Sequence, residues 1–363
     1  MRLLITTDTV GGVWSFGLEL AKGVLQVGDS VALVSFGAPA AAAQAAECEN
    51  LRTEWNEHFE FIDTGMPLEW MQENERCLER GAEVLQRIAQ SFGAELLHCN
   101  QFCYGAAMLG IPTVITAHSD VFSWGRSCGQ PLAPSNWLSR YRQLVQSGLD
   151  RADAVAAPTP WMLKALRQEF SFNCPAKVIP NGCSMRTPRP GNRQLRAVTA
   201  GRLWDRGKGL SVLHALPSPM PIAIAGETHY GDVAVEVPEG VAICGALQRE
   251  ELLQLFAESA VYLCTSLYEP FGLAALEAAM CGCAVVARDV PSLREVWGDA
   301  ASYFQNAEEL SLLLHSFYED PRKLQTARAL AWHHAQRYTR EAMVQRYREL
   351  YVCVMNGEDT RVA

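Results

Sequence analysis

Short apolar runs bounded by turn residues recur along the whole chain. Before residue 181 they are "RLLIT", "SVALVSF", "ELLHC", "TVITAH", "AVAAP" and "KVIP"; after it they are "RAVTAG", "PIAIAG", "VAIC", "AVYLCTS" and "CAVVARD". Segments of helical length lie between most of them, at 13–27, 68–91, 135–149, 248–258 and 272–281. Runs of β-branched and small apolar residues that alternate with helices predict parallel strands covered on both faces. The predicted fold class is therefore α/β.

The alternation breaks once, at "PNGCSMRTPRPGNRQ" (residues 180–194). Proline fixes φ and lacks an N–H donor, so this polar segment is interpreted as a connector. Two Rossmann-like domains are predicted, one at 1–181 and one at 182–340. The chain from 306 onward is predicted to be helical, with one helix beginning at Pro321 and a last helix, at 341–363, that packs back on the first domain.

Length and charge limit the possible functions. With 363 residues, the chain is roughly two to three times the usual size of one domain. Residues 1–170 hold 12 Lys and Arg against 19 Asp and Glu, a net charge of −7, and the rest holds 19 against 21, a net charge of −2. Neither part has the basic composition of a nucleic-acid-binding protein.

The N-terminus does not have the pattern of a targeting segment. "MRLLITTDTVGG" is too short for the apolar region of a signal peptide, and no run approaches the roughly 18 apolar residues of a spanning helix. We expect a cytoplasmic protein in which most of the 12 cysteines are reduced and buried. A local patch of Arg126, Arg140 and Arg142 leaves peripheral contact with the inner face of the cell membrane open.

Four loops that follow predicted strands carry the unusual residues. In doubly wound sheets, ligands bind beyond the carboxyl ends of the strands, at loops that lead into helices. The four loops are "TTDTVGGVW" (6–14), "TAHSDVFSW" (116–124), "AGRLWDRGKGL" (200–210) and the start of "SLYEPFGLAALEAAMCGCAVVA" (266–287).

The last of these loops carries two carboxylates, Glu269 before a predicted helix and Glu277 on it. A helix that begins near Phe271 or Gly272 directs backbone N–H groups at the loop, so an anion is expected against Gly272 and Leu273. Carboxylates accept hydrogen bonds from ligand hydroxyls. The alternative is structural: Glu269 caps the helix and Glu277 is a solvated surface acid.

Two cations lie on the loop that follows "RAVTAG". Arg202 comes just after the strand, and Lys208 lies between two glycines at the start of the next predicted helix. Such a pair is suited to a diphosphate, with Arg binding in bidentate fashion and Lys as a point charge. The alternative is a solvated surface pair. The sequence has no G-x-G-x-x-G or Walker loop, which disfavours dinucleotide and simple nucleoside triphosphate chemistry.

The combination of "GRL…GKG" with the later "EPFGLAALE" resembles the retaining glycosyltransferases of family 4, which have the GT-B fold. The resemblance covers nearly the whole chain, because the glycine-bearing first loop, the histidine-containing loop and "PNG" at the predicted domain crossing also match. It implies two Rossmann-like domains that face each other across a cleft. The motif of two acids with "PFG" between them is specific to such enzymes.

The resemblance implies a role for each matching residue of the second domain. Glu269 would hydrogen-bond hydroxyls of the donor sugar, and Glu277 would hold the ribose hydroxyls. The diphosphate would be bound by Arg202 and Lys208. The remaining implied donor contacts are Phe271, Gly272, Leu273 and, next to the base, the loop from Gly245 to Leu247.

The resemblance also implies roles for three residues of the first domain. His118 would reach the donor sugar near the reacting carbon. Gly11 and Gly12 would form the loop that closes on the donor phosphate and the acceptor. By itself, a histidine after a strand is more often a hydrogen-bonded structural residue. Trp14, Trp124 and Asp120 are expected to have structural roles, and His333 and His334 are expected to be surface residues.

The reaction implied is the retaining, metal-independent transfer of a hexose from a nucleoside diphosphate sugar to an acceptor hydroxyl. No protein-bound cofactor is expected, and the sequence contains no D-x-D pair. UDP-glucose is the favoured donor, and the acceptor is expected to be a carbohydrate or a lipid-linked molecule in polysaccharide or glycolipid biosynthesis. Two alternatives remain: a nucleotide-sugar epimerase or hydrolase on the same fold, and a non-catalytic nucleotide-sugar binder.

Overall fold

The computed structural model describes residues 1–71, 77–184, 193–214, 216–230, 233–234 and 238–358. The chain divides into two compact units. Unit 1 contains Met1–Arg126, Gln130–Gly182 and Arg340–Ala363, and unit 2 contains Ser127–Gly129 and Cys183–Thr339. Most of the connector predicted at 180–194 lies outside the described residues.

A parallel sheet with helices between its strands forms unit 1. In chain order its elements are β1 (Arg2–Asp8), α1 (Gly12–Gln26), β2 (Ser30–Phe36), α2 (Ala42–Trp55), β3 (Phe59–Asp63), α3 (Cys77–Phe92), β4 (Leu96–Cys99), β5 (Thr113–Thr116), α4 (Val121–Ser127), α5 (Asn136–Leu149), β6 (Ala154–Ala157), α6 (Pro160–Glu169) and β7 (Ala176–Val178). The seven strands lie in the order β3-β2-β1-β4-β5-β6-β7. This order is that of a Rossmann fold with one added strand. The strands run in parallel, and the direction in which successive strands are added to the sheet changes between β1 and β4.

Unit 2 repeats this arrangement with six strands. Its elements are β8 (Gln194–Ala200), β9 (Ile222–Ala225), β10 (His229–Tyr230), β11 (Val233–Ala234), β12 (Val241–Gly245), α7 (Arg249–Glu258), β13 (Ser259–Cys264), α8 (Leu273–Met280), β14 (Ala284–Arg288), α9 (Pro291–Trp297), β15 (Ser302–Phe304), α10 (Ala307–Glu319) and α11 (Pro321–Ala335). The parallel sheet has the order β12-β9-β8-β13-β14-β15, while β10 and β11 form a separate antiparallel pair. The order of the main sheet reverses between β8 and β13. The predicted α/β class is confirmed.

Local sequence explains where several helices begin. The side chain of Ser135 accepts a hydrogen bond from the Leu138 N–H before α5, and Thr159 does the same for Met162 before α6. Helix α11 begins at Pro321, as predicted, because proline needs no hydrogen-bond partner in the first turn. The last helix, α12 (Arg340–Met355), belongs to unit 1 and contacts α1.

Two predicted helices differ from the structure. The helix predicted over 68–91 begins at Cys77 among the described residues, and 68–71 form a turn in which the Glu69 carboxylate accepts the Phe102 N–H at 3.0 Å. The helix predicted at Lys208 is replaced by two short 3₁₀ turns, Arg206–Lys208 and Leu210–Leu213. Gly209 separates these turns in a left-handed conformation that an α-helix does not continue through.

The sequence patterns missed two edge strands of the main sheets. Strand β3 has the sequence "FEFID", in which two charged residues interrupt the apolar ones, and β15 has three residues only. Edge strands are buried on fewer sides, so they need no continuous apolar run. Within the described part of the chain, no helix combines the length and the apolar character required to cross a bilayer.

We expect Gly148→Ala to destabilise unit 1. A Cβ atom at Gly148 of α5 would lie 1.8 Å from the backbone oxygen of Phe102, which no rotamer change can move away. The free energy of unfolding should fall by at least about 1–3 kcal/mol, the usual range for overpacking. Urea unfolding followed by circular dichroism measures it. The exposed Gln143→Ala on the same helix is the control, and equal stability of the two variants would contradict this contact.

Candidate active site

The reversal of strand order in unit 2 places two loops side by side. Strands β8 and β13 are neighbours in register, with Val261 opposite Ala197. Because both strands run in the same direction, residues 201–209 and 265–272 meet at the carboxyl edge of the sheet. This is the position at which doubly wound sheets bind ligands.

Hydrogen bonds and a close backbone approach connect the two loops. Thr265 donates its hydroxyl to the Lys208 carbonyl at 2.6 Å, and the Leu267 N–H donates to the Gly207 carbonyl at 2.8 Å. A Cβ atom at Gly209 would lie 2.4 Å from the Thr265 carbonyl, and Gly209 has a φ of 60°. Only glycine fits both requirements, so the glycine after Lys208 is explained by this close approach.

Lys208 and Glu269 form an ion pair across these loops. The Lys208 Nζ lies 2.7 Å from the Glu269 Oε2, which also accepts from the Ser266 hydroxyl at 3.0 Å. The two side chains are 22% and 17% exposed. Burial acts to lower the pKa of Lys208, but attraction to Glu269 outweighs it and the pKa is raised above the usual value. Lys208 is therefore a fixed positive charge at neutral pH.

Arg202 is held on the same loop by a different acid. Its Nη2 lies 2.9 Å from the Asp205 Oδ2, and the other oxygen of Asp205 accepts the Gly207 N–H at 2.8 Å. The guanidinium is also 5.5 Å from the centre of the Trp204 ring. The charge of Arg202 acts on the pKa of Lys208, so the two cations are electrostatic neighbours. Each cation thus has a carboxylate partner, while the Arg202 side chain is 38% exposed.

Helix α8 begins beside this pair. The N-cap residue of this helix is Gly272, with a φ of 93°. Glycine has no side chain that could cap the first turn. Glu269 is thus engaged with Lys208 and is not the helix cap. Phe271 is buried and meets Tyr338 edge-on at 5.5 Å, while Leu273 opens the helix. The first backbone N–H groups of α8 consequently lie next to a carboxylate and a lysine.

Glu277 lies farther along α8 and is almost fully buried. Its Oε1 is 3.0 Å from Nη2 of Arg249, the first residue of α7. Glu277 is therefore not a solvated surface acid. The sequence patterns missed Arg249, because nothing in the spacing relates residue 249 to residue 277. Leu247 lies half-buried in the loop just before α7.

His118, Gly11 and Gly12 lie in unit 1. His118 follows β5, and its Nε2 is 2.7 Å from the Asn100 Oδ1. Burial, with a smaller effect of His98, lowers the pKa of His118 to about 3, so the imidazole is neutral at physiological pH. Gly11 and Gly12 are exposed at the start of α1, where Gly11 has a φ of 74°.

Asp120 and Trp14, two further residues of these loops, have structural contacts. Asp120 accepts the Ser123 N–H at 2.8 Å in the first turn of α4, as a helix cap does. Trp14 is buried and meets Phe61 edge-on. His334 differs from the prediction: it is half-buried, with Nε2 2.6 Å from the Val296 carbonyl.

Comparisons with known proteins identify the family of the chain. The model of Glycosyltransferase Family 4 matches residues 10–186, and that of Glycosyl transferases group 1 matches residues 229–331. The alpha-maltose-1-phosphate synthase of Mycolicibacterium smegmatis is 27% identical over 257 residues, which are 59% of this chain and 65% of that protein. The match thus spans just under two thirds of that relative.

Solved structures share the fold. Sucrose-phosphate synthase from Thermosynechococcus elongatus has a TM-score of 0.78 at 18% identity, with 99% of this chain and 100% of that chain covered. Anabaena HepE in complex with UDP and glucose has a TM-score of 0.73 at 18% identity, with 97% and 99% covered.

We expect mild acid to destabilise unit 1 through its buried histidines. Burial lowers the pKa of His98 and of His118 to about 3, against 6.5 for an ordinary histidine. Below pH 6.5 the unfolded chain therefore binds protons that the folded chain does not. The contribution of the two histidines to the free energy of unfolding is therefore fully present above pH 6.5. It falls as the pH is lowered toward 3, by up to about 1.4 kcal/mol per pH unit for each histidine.

Urea unfolding between about pH 7 and pH 5.5, above the range in which most carboxylates titrate, measures this slope. His118→Gln should flatten it, whereas the exposed His333→Gln should leave it as in the wild type. A slope that is identical in both variants would show that the His118 imidazole is not buried in its neutral form.

Proposed function

Because the chain belongs to glycosyltransferase family 4, with the family 4 domain at residues 10–186 and the group 1 domain at 229–331, we propose that it transfers a hexose from a nucleoside diphosphate sugar to an acceptor hydroxyl. The observation that carries this proposal is the ion pair of Lys208 and Glu269, which lies beside Arg202 and the start of α8. Cations, backbone N–H groups and a hydroxyl-binding carboxylate at one edge of a sheet suit a diphosphate joined to a sugar.

The cations would stabilise the leaving group. As the bond between the anomeric carbon and the diphosphate breaks, negative charge develops on the phosphate oxygen. Arg202 and Lys208 are already held in place by Asp205 and Glu269, so little reorganisation is required during the reaction. The raised pKa of Lys208 keeps its charge available over the whole physiological range.

The two carboxylates would bind hydroxyl groups at the two ends of the donor. Glu269 would accept hydrogen bonds from the sugar hydroxyls, and Glu277 would accept them from the ribose. Each is oriented by a cation, Lys208 for Glu269 and Arg249 for Glu277. The neighbouring loop with Leu247 would contact the base. His118, Gly11 and Gly12 keep the sugar and acceptor roles that the family resemblance implies.

Retention without a covalent intermediate is the proposed stereochemical course. A double displacement needs a carboxylate nucleophile below the sugar. Two buried candidates of unit 1, Asp8 and Asp120, accept backbone hydrogen bonds from Val10 and Ser123. A front-face route, in which the departing phosphate oxygen takes the proton of the acceptor hydroxyl, is the course that the family resemblance implies. The reaction as proposed requires no metal ion.

UDP-glucose is the proposed donor. The support is the family resemblance, together with the UDP and glucose bound in the structurally similar HepE. The acceptor is proposed to be a carbohydrate or a lipid-linked molecule in polysaccharide or glycolipid biosynthesis. Peripheral contact with a membrane would fit a lipid-linked acceptor.

A thermal-shift panel with UDP, GDP, ADP and their glucose conjugates, with and without EDTA, tests the donor. A ligand that binds only the folded state adds about 2.7 kcal/mol to the free energy of unfolding at 100 times its dissociation constant, and so raises the melting temperature. We expect UDP and UDP-glucose to stabilise the protein selectively, and EDTA to have no effect. Stabilisation by GDP or ADP instead would overturn the choice of donor, and no shift with any nucleotide would contradict the function.

We expect Lys208→Ala to weaken UDP much more than UMP, because Lys208 is assigned to the diphosphate. Loss of one charged hydrogen bond should reduce UDP affinity on the order of 10- to 100-fold. Glu277→Gln, at the proposed ribose contact, should weaken both nucleotides alike. Isothermal titration calorimetry measures both affinities, and the exposed Lys323→Ala is the matched control.

Turnover assays with and without an acceptor separate the alternatives. Release of UDP from UDP-glucose without any acceptor would indicate a hydrolase. A binder would show nucleotide affinity with no turnover when candidate acceptors are supplied.

A further inference from the structure

A buried amide, Asn100, lies where the strand order of unit 1 reverses. It directly follows β4, between the carboxyl ends of β1 and β5 in the sheet. Its backbone N–H donates to the Thr6 hydroxyl at 3.0 Å, and the residue is 8% exposed. The sequence patterns gave no role to this residue, yet it occupies the position where a Rossmann sheet binds its ligand.

The orientation of the Asn100 amide is fixed by Thr6. Nδ2 of Asn100 lies 2.7 Å from the backbone carbonyl oxygen of Thr6 in β1. A carbonyl oxygen only accepts hydrogen bonds, so the amide nitrogen has to face it. The amide oxygen Oδ1 consequently faces the other way, toward Nε2 of His118 at 2.7 Å.

This orientation determines the tautomer of His118. The Asn100 Oδ1 has no proton to give, so Nε2 of His118 has to be the donor of their hydrogen bond. A neutral imidazole carries one N–H, and burial keeps His118 neutral. Nδ1 of His118 therefore keeps its lone pair and acts as an acceptor.

A second histidine, His98, contacts the same amide oxygen of Asn100. Nδ1 of the fully buried His98 is 2.5 Å from the Tyr351 hydroxyl of α12, and its Nε2 is 3.0 Å from the Thr116 hydroxyl. Nε2 is also 3.3 Å from the Asn100 Oδ1. If Tyr351 donates to Nδ1, the single proton of His98 lies on Nε2. That proton is then shared between the Thr116 hydroxyl at 3.0 Å and the Asn100 Oδ1 at 3.3 Å, so His98 also directs an N–H toward the amide oxygen.

We propose that Asn100 is a positioning residue that holds His118 with its proton on Nε2, so that Nδ1 is the acceptor offered to a hydroxyl of the reacting sugar. The inference rests on the proposed function for the ligand, whereas the tautomer is a property of unit 1 alone. Without Asn100, no bond would select between the two tautomers or between the two orientations of the ring. Phe16, edge-on to His118 with ring centres 4.5 Å apart, limits its movement but not its protonation.

Long-range ¹H–¹⁵N spectra of the full chain labelled with ¹⁵N-histidine test the tautomer directly. His118 is assigned by the signals that disappear in His118→Gln. In the wild type we expect the Nε2-protonated pattern for His118. The Nδ1-protonated pattern would overturn the proposal, and this measurement requires neither a stable Asn100 variant nor any enzymatic activity.

Asn100→Ala should convert the His118 signals to those of mixed tautomers. Thr116→Val is the matched control, because it removes a bond of the same buried network, to His98, without contacting Asn100 or His118 through a hydrogen bond. It should lower stability yet leave the His118 pattern unchanged. An unchanged pattern in Asn100→Ala, or an equal change in Thr116→Val, would reduce Asn100 to a structural residue.

Turnover then connects the tautomer with the reaction. With UDP-glucose as donor, Asn100→Ala should lower kcat on the order of 100-fold, the effect of a misplaced reacting group, while UDP affinity stays as in the wild type. A kcat equal to that of the wild type would overturn the positioning role. Failure of the proposed function is distinguishable, because it would appear as a wild type that binds no nucleotide whatever the state of His118.

Discussion

The candidate site depends on the close backbone contact between the loops that follow β8 and β13. Gly209 allows this contact, because any side chain there would meet the Thr265 carbonyl. The contact brings Lys208 within 2.7 Å of Glu269, although 60 residues separate them. A site made of two charges from distant segments therefore rests on one residue that has no side chain.

Opposite charge decides which buried groups stay ionised. Lys208 is only 22% exposed, but the adjacent Glu269 raises its pKa and preserves its charge. In the part of the chain that the structure describes, no carboxylate acts on His118 or His98 in this way, so burial lowers the pKa of both histidines and they are neutral. At equivalent edges of similar sheets, unit 2 thus presents the paired charges of Lys208 and Glu269, whereas unit 1 presents the neutral imidazole of His118.

The C-terminal helix α12 contributes to unit 1 through polar side chains. Tyr351 and Tyr347 reach the carboxyl ends of β4 and β5, where they bond His98 and Thr116. Burial raises the pKa of both tyrosines, so their hydroxyls remain protonated. The polypeptide returns to the first unit after completing the second, and this return completes the buried network beside His118.

The sequence by itself determined the α/β class and most strands of both sheets, because buried parallel strands have local patterns. It also nominated candidate site residues, from loops at strand ends and from a family resemblance. It did not determine the partners of those residues. The pairing of Glu277 with Arg249, the turn that replaces a helix at Lys208 and the amide that orients His118 all arise from segments far apart in the chain. Only tertiary structure brings such segments together, and with them the desolvation and neighbouring charges that set each protonation state.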